Sequence, residues 1–224
     1  MSDTASAPVS NLWYKKNSGN DYYRVRRSDT LYSIAWMFGL DYRALARVNS
    51  LRPPYCLRVG EKIKMTHVPI GDYTSQKVFL PDNRHISKSR NYRNSHGQVK
   101  ALHSGVWVWP ARGKIISGYK KGYAENTGIN IRGYYREPVF AAASGNVVYC
   151  GTGVRGYGNL IIIKHNSSYL SAYAYNDSIV VRLGQRVKAG QKIALMGKNN
   201  AGEVMLHFEV RENGLPVNPM RFLR

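Results

Sequence analysis

Met205-Leu206-His207-Phe208-Glu209-Val210-Arg211 sets a thioether, an imidazole and a carboxylate along one face of a strand-like segment. The alternation puts Leu206, Phe208 and Val210 on one side and Met205, His207 and Glu209 on the other. In a second strand-like segment, Asn126-Thr127-Gly128-Ile129-Asn130, two amides flank an apolar Ile129. Metal binding is the chemistry to weigh. Zinc demands strong lone-pair donors: thiolate, neutral imidazole or carboxylate. An amide oxygen is a poor zinc ligand, although it suits hard cations such as calcium. One imidazole and two amides are a weak donor set for zinc, and without its ion a site cannot bring a bound water to a pKa of about 7.

These segments must be carried by a β framework. From Val106 onward the chain is a series of short β-rich runs: Pro138 to Ala142, Gly145 to Tyr149, Leu160 to Lys164 and Leu170 to Tyr175. Glycines at 151, 153, 156, 158, 184, 190 and 197 punctuate them. Short strands separated by glycine turns predict an all-β domain over 106–224. Trp107-Val108-Trp109-Pro110 opens it and Val217-Asn218-Pro219 stands near its end.

Together with Gly184 to Ala194 and Pro138 to Val148, these segments resemble the lysostaphin-type (LytM) zinc peptidases, which cut peptidoglycan cross-bridges. In that family the first segment reads His-x-Gly-x-Asp and the second His-x-His. The first His, the Asp and the last His hold zinc, and the other His helps to activate water. Here those positions are Asn126, Asn130, His207 and Met205, so only His207 matches. A further assisting His of the family is replaced by Tyr175, whose phenol, with a pKa near 10, is a poor general base at neutral pH. The resemblance therefore implies a groove kept in shape after its chemistry has gone, with no cofactor. His165 matches a family position that is not a ligand and is expected to be structural, and His207 is expected to serve packing and hydrogen bonding.

Residues 22–65 predict a compact unit of strand, helix, helix and strand. Thr30 can cap a helix whose apolar residues Leu31, Ile34, Ala35 and Phe38 follow i, i+3, i+4, i+7 spacing, and Gly39 can end it. Asp41 can cap a second helix carrying Leu45 and Val48, with a turn and returning strand over Val59 to Met65. This pattern resembles a LysM module, with Tyr23-Arg24-Val25, Asp29-Thr30-Leu31, Asn49, Leu51 and Val59-Gly60 carrying the match. The family binds N-acetylglucosamine chains, which implies Ser28, Asp29, Thr30, Leu31, Leu51 and Pro53 as the glycan site. Helix capping alone would also account for Asp29 and Thr30. The family usually has Gly where this chain has Ser28.

The remaining segments carry no such periodicity. Residues 1–21 predict a disordered lead. Residues 66–105, rich in Ser, Asn and Arg, predict a basic linker long enough for the two ends to act semi-independently. Its His67, His85, His96 and His103 are too irregularly spaced for a metal cluster. Cys56 and Cys150 fall in different domains and, flanked by apolar residues, are expected as buried free thiols.

The 33 Lys and Arg against 13 Asp and Glu give a net charge of +20, which calls for anionic surroundings: nucleic acid, a membrane face or cell-wall polymer. No helix-turn-helix, RNP or zinc-finger pattern accompanies the charge, so no specific nucleic acid is expected. No apolar run approaches the roughly 20 residues of a membrane helix. The polar start at Met1 to Pro8 shows no secretory signal; it fits either a cytoplasmic start or a chain whose signal and lipidated Cys are removed, and the resemblance favours the latter.

A LysM module joined to a LytM domain with lost ligands resembles the murein hydrolase activators of the EnvC and NlpD kind. There the vacated cleft receives a regulatory helix of a zinc N-acetylmuramoyl-L-alanine amidase. The resemblance implies a non-enzymatic periplasmic protein, held at the outer membrane as a lipoprotein, with peptidoglycan and an amidase as partners. Asn126, Thr127, Asn130, Tyr157, Leu160, Tyr175, His207 and Arg211 are its candidate groove, and the Arg211 fork could hold a partner carboxylate or be a surface charge at a strand end. The alternatives are an atypical zinc endopeptidase using His207 and a basic wall-binding structural protein.

Overall fold

The computed structural model describes residues 22–65, 107–121 and 127–224. The N-terminal unit is β1 (Tyr22–Arg24), α1 (Leu31–Met37), α2 (Tyr42–Val48) and β2 (Lys62–Lys64), with β1 and β2 antiparallel. Local chemistry sets both helix starts. Thr30 Oγ1 accepts from Ser33 N at 3.1 Å while Thr30 N donates to Ser33 Oγ at 3.0 Å, a reciprocal capping box. Asp41 Oδ1 accepts from the backbone N–H groups of Arg43 and Ala44. Gly39 follows α1 at φ +64°, the left-handed conformation that closes a helix at least cost with glycine.

The C-terminal domain is β-rich, as its sequence predicts. Among the described residues its strands are β3 (Lys114–Ser117), β4 (Ile129–Arg132), β5 (Pro138–Phe140), β6 (Gly145–Gly151), β7 (Asn159–Lys164), β8 (Tyr169–Ile179), β9 (Arg186–Val187), β10 (Lys192–Met196), β11 (Met205–Glu212) and β12 (Leu215–Val217). The antiparallel sheet runs β3-β4-β11-β8-β7-β6-β9, with β10 joining β5 to β8 and β12 pairing β11. The central strands β7 and β8 each present two apolar faces, while β11 presents one apolar face and one that carries the site's polar row. One face, with Ile161, Ile163, Tyr173, Leu206, Phe208 and Val210, packs on the domain's own core.

The opposite face, with Leu160, Ile162, Ala172, Ala174, Tyr175 and Met205, shares one buried cluster with Leu31, Ile34, Ala35 and Trp36 of α1. A strand apolar on both faces needs cover on both. The LysM-like module supplies the second cover: α1 packs against β6, and Arg43 Nη2 donates to Asn213 Oδ1 at 2.7 Å. The linker expected to separate the two ends lies outside the described residues, as do its four His, but the domains it joins are in contact rather than independent. Both cysteines are free, yet Cys56 is exposed, in the loop after Pro53-Pro54, rather than buried; Cys150 is partly buried.

Candidate functional site

Strand register brings the candidate residues together. His207 of β11 lies opposite Asn130 of β4 and Ala174 of β8, which sets Tyr175 beside it. His207 Nδ1 is 2.6 Å from Asn130 Oδ1, and Nε2 is 3.0 Å from Glu209 Oε1. Glu209, two residues along on the same face, is fully buried and holds the centre of the network. Its Oε1 also accepts from the Tyr157 hydroxyl at 2.7 Å, and its Oε2 faces Arg211 Nε and Nη2 at 3.4 and 3.3 Å. A carboxylate can accept about four hydrogen bonds, and this one has all four.

The electrostatics follow. Burial alone would push the Glu209 carboxyl up. Arg211, then the His207 hydrogen bond and charge and the Tyr157 hydroxyl, outweigh that and hold it at about 2. Tyr157 is raised well above the ordinary phenol value by burial and the Glu209 charge. Tyr175, held at φ +63°, is pushed up to about 12 by burial and then by Glu209.

The zinc implied by the family does not fit this donor set. Both His207 nitrogens are engaged by neighbouring side chains, and the Asn130 oxygen is committed to one of them. The Tyr175 phenol stays protonated, and the Met205 sulfur accepts from Asn199 Nδ2 at 3.7 Å. Among the described residues no group of three or more His, Cys, Asp and Glu could hold a metal ion. Asn126 lies outside the described residues.

The other candidates divide. Thr127, Tyr157 and Leu160 are buried, and Thr127 Oγ1 and the Tyr175 hydroxyl have no hydrogen-bond partner among the described residues. Arg211, expected to hold a partner's carboxylate or lie at the surface, is 1% exposed. Its Nη1 donates to the Trp36 carbonyl oxygen at 2.8 Å, and its guanidinium stacks 3.7 Å from the Trp36 ring centroid. Of the glycan candidates, Ser28 and Pro53 are exposed, Asp29, Thr30 and Leu51 half-buried and Leu31 buried. Asp29 Oδ2 accepts from Tyr23 Oη and Arg26 N, so it ties down its own loop as well. His165 bridges Ser144 O and Ser171 Oγ and stacks on Trp107, a structural role.

Strand alternation alone puts Glu209 on the site face without assigning it a role, and nothing in the sequence singles out Trp36. Glu209 carried a usable signal: a carboxylate two residues from His207 and two from Arg211 on one strand face places three ionisable groups in a row. Trp36 carried none, because its partner lies 175 positions away in the sequence.

The model for peptidase family M23 matches residues 124–219, and that for the LysM domain matches residues 23–66. The lipoprotein NlpD/LppB homolog of Pseudomonas aeruginosa is 40% identical, over 97% of this chain and 81% of its own. The murein hydrolase activator NlpD of Escherichia coli K12 is 35% identical, over 90% of this chain and 67% of its own. Lysostaphin from Staphylococcus simulans superposes with a TM-score of 0.47 and 28% identity, over 55% of this chain and 54% of that chain. With a LysM module, an M23 domain and relatives of this identity along nearly its whole length, the chain belongs to the NlpD/LppB family.

Proposed function

We propose that the protein is a non-catalytic activator of a periplasmic zinc N-acetylmuramoyl-L-alanine amidase, acting in cell-wall remodelling or daughter-cell separation. It binds peptidoglycan through its LysM module and the amidase's regulatory helix through the vacated M23 groove. It acts from the outer membrane as a lipoprotein, in keeping with the names of its relatives. The observation that carries this reading is the rebuilt metal position. The Asn130–His207–Glu209–Arg211 row, closed by Tyr157, is a satisfied polar network where a peptidase needs open ligands. The names of the relatives as murein hydrolase activators point the same way.

Activation is then a population shift. The groove must bind the amidase's helix more tightly when that helix is pulled from the amidase than when it is in place. Apolar Leu160, Ala174 and Met205 offer anchors, and the buried network beneath keeps the floor rigid. The test is dye release from labelled sacculi with this protein alone, with purified amidases alone and with both. Release only in the combination is expected. Chelator-sensitive release by the protein alone would overturn the reading in favour of an atypical endopeptidase. No effect in any combination would favour a wall-binding structural protein.

A further inference from the structure

The face that the proposed function assigns to an amidase helix is not bare. Helix α1 lies on it. Arg211, at the end of the site row, is held twice by Trp36, through its carbonyl oxygen at 2.8 Å and its ring at 3.7 Å. The seam continues to the β11–β12 turn. There Arg43 meets Asn213, and a Cβ on Gly214 would come within 2.6 Å of Asp41 N and 2.7 Å of the Leu40 carbonyl. A short apolar helix thus occupies the place that a partner's helix would need.

Its hold is incomplete. The Tyr175 hydroxyl is buried in the shared cluster and has no hydrogen-bond partner among the described residues. A buried polar group left unpaired is penalised, and undocking would return it to water. A permanent core would not carry that penalty; a reversible contact can.

We propose that the LysM module is a removable cover for the M23 groove, so that the protein is self-inhibited until α1 leaves. The proposal rests on the activator reading above and adds its regulation. The Asp29 corner of the LysM glycan site lies at the same seam, with Asp29 Oδ1 4.0 Å from where a Gly153 Cβ would sit. A glycan chain wrapping that corner competes with docking, so glycan and amidase helix both select the undocked form and each strengthens the other's binding by the same factor. A groove exposed only part of the time binds more weakly by that fraction.

Two variants approach the seam from opposite sides. Gly214→Asn inserts a wedge, and Asn tolerates the φ of +86° found there, so the hairpin turn is kept. Trp36→Ala removes the lid from Arg211. The concentration needed for half-maximal amidase stimulation on labelled sacculi should fall at least tenfold in both, equivalent to about 1.4 kcal/mol of docking. Hydrogen exchange of the α1 amides should speed up in both. A soluble N-acetylglucosamine hexamer should lower the wild-type value and leave the wedge variant unmoved. Faster α1 exchange with unchanged stimulation would overturn the cover, as would α1 exchange identical in wild type and both variants. If no form stimulates any amidase, the activator reading falls, while release of α1 by both variants would still sustain the cover.

Discussion

Glu209→Gln tests whether the buried carboxylate is the keystone of the vacated site. At neutral pH the substitution leaves Arg211 buried without a counter-charge, a change that typically costs about 3–5 kcal/mol. An independent figure comes from titration. Holding the carboxyl at about 2 against an ordinary 4.5 corresponds to roughly 3 kcal/mol, at 1.36 kcal/mol per pH unit. The sign is fixed by the direction of the shift. A lowered folded-state pKa gives stability that is complete above pH 4.5 and is lost as pH falls towards 2. By pH 3 about 2 kcal/mol of it should be gone, because the unfolded chain then binds a proton that the folded carboxylate still refuses, and below pH 2 protonated glutamate and glutamine leave Arg211 in the same position. Urea unfolding of both proteins at pH 7, 5 and 3 reads this directly. The other carboxylates titrate alike in the two proteins and cancel in the difference. A gap between wild type and variant that stays constant from pH 7 to pH 3 would refute the argument.

Thr30→Ala should destabilise the LysM module by about 1 kcal/mol in thermal or urea unfolding, while Thr30→Ser, which keeps the capping oxygen, should be close to neutral. His165, whose burial pulls its pKa from 6.5 to about 4, favours the folded state only when neutral. Its contribution is complete above pH 6.5 and fades as pH falls to 4, so His165→Gln should flatten the stability profile in that window, measured by the same unfolding series. Asn126→His with Asn130→Asp restores, at the positions that the family resemblance assigns to zinc, the ligand types that zinc requires. Elemental analysis should find equimolar zinc in that double variant and none in the wild type; equimolar zinc in the wild type would sink the reading of the site as vacated.

The parts legible in the sequence were those specified locally. Thr30 and Asp41 cap the helices that follow them because an N-cap acts within three residues. The alternation of Met205 to Val210 assigns two faces correctly because side chains on a strand alternate strictly. His207 and Asn130 meet because β11 and β4 pair in that register. Cys56 is exposed although apolar residues flank it, because apolar neighbours in sequence do not bury a loop residue. Arg211 is buried rather than a surface charge, and that burial depends on Trp36, a contact with no local signature. One trace of that contact was nevertheless present. Leu160-Ile161-Ile162-Ile163 is apolar at every position, whereas a sheet with one wet face would alternate.

That trace bears on why the groove has kept its floor. A peptidase groove that merely lost its ligands would be free to drift towards polar side chains on its open face, since nothing would penalise them. Here Leu160, Ile162, Ala172 and Ala174 present a continuous apolar surface above which the ionised Glu209–Arg211 pair is shut off from water. Such a pair repays its desolvation only if the surroundings stay closed and its hydrogen bonds stay complete. Trp36 completes both conditions at once, by stacking on the guanidinium and by accepting its outermost N–H. An occupant that replaces α1 must therefore bring its own equivalent: an apolar or aromatic face over Arg211 and an acceptor for Nη1. An amidase helix that meets the two requirements takes over the floor intact, and one that meets only the first leaves a buried donor unpaired, at about 1–3 kcal/mol. On the proposed activator reading, the groove would discriminate among helices by the same two contacts that Trp36 now makes with Arg211.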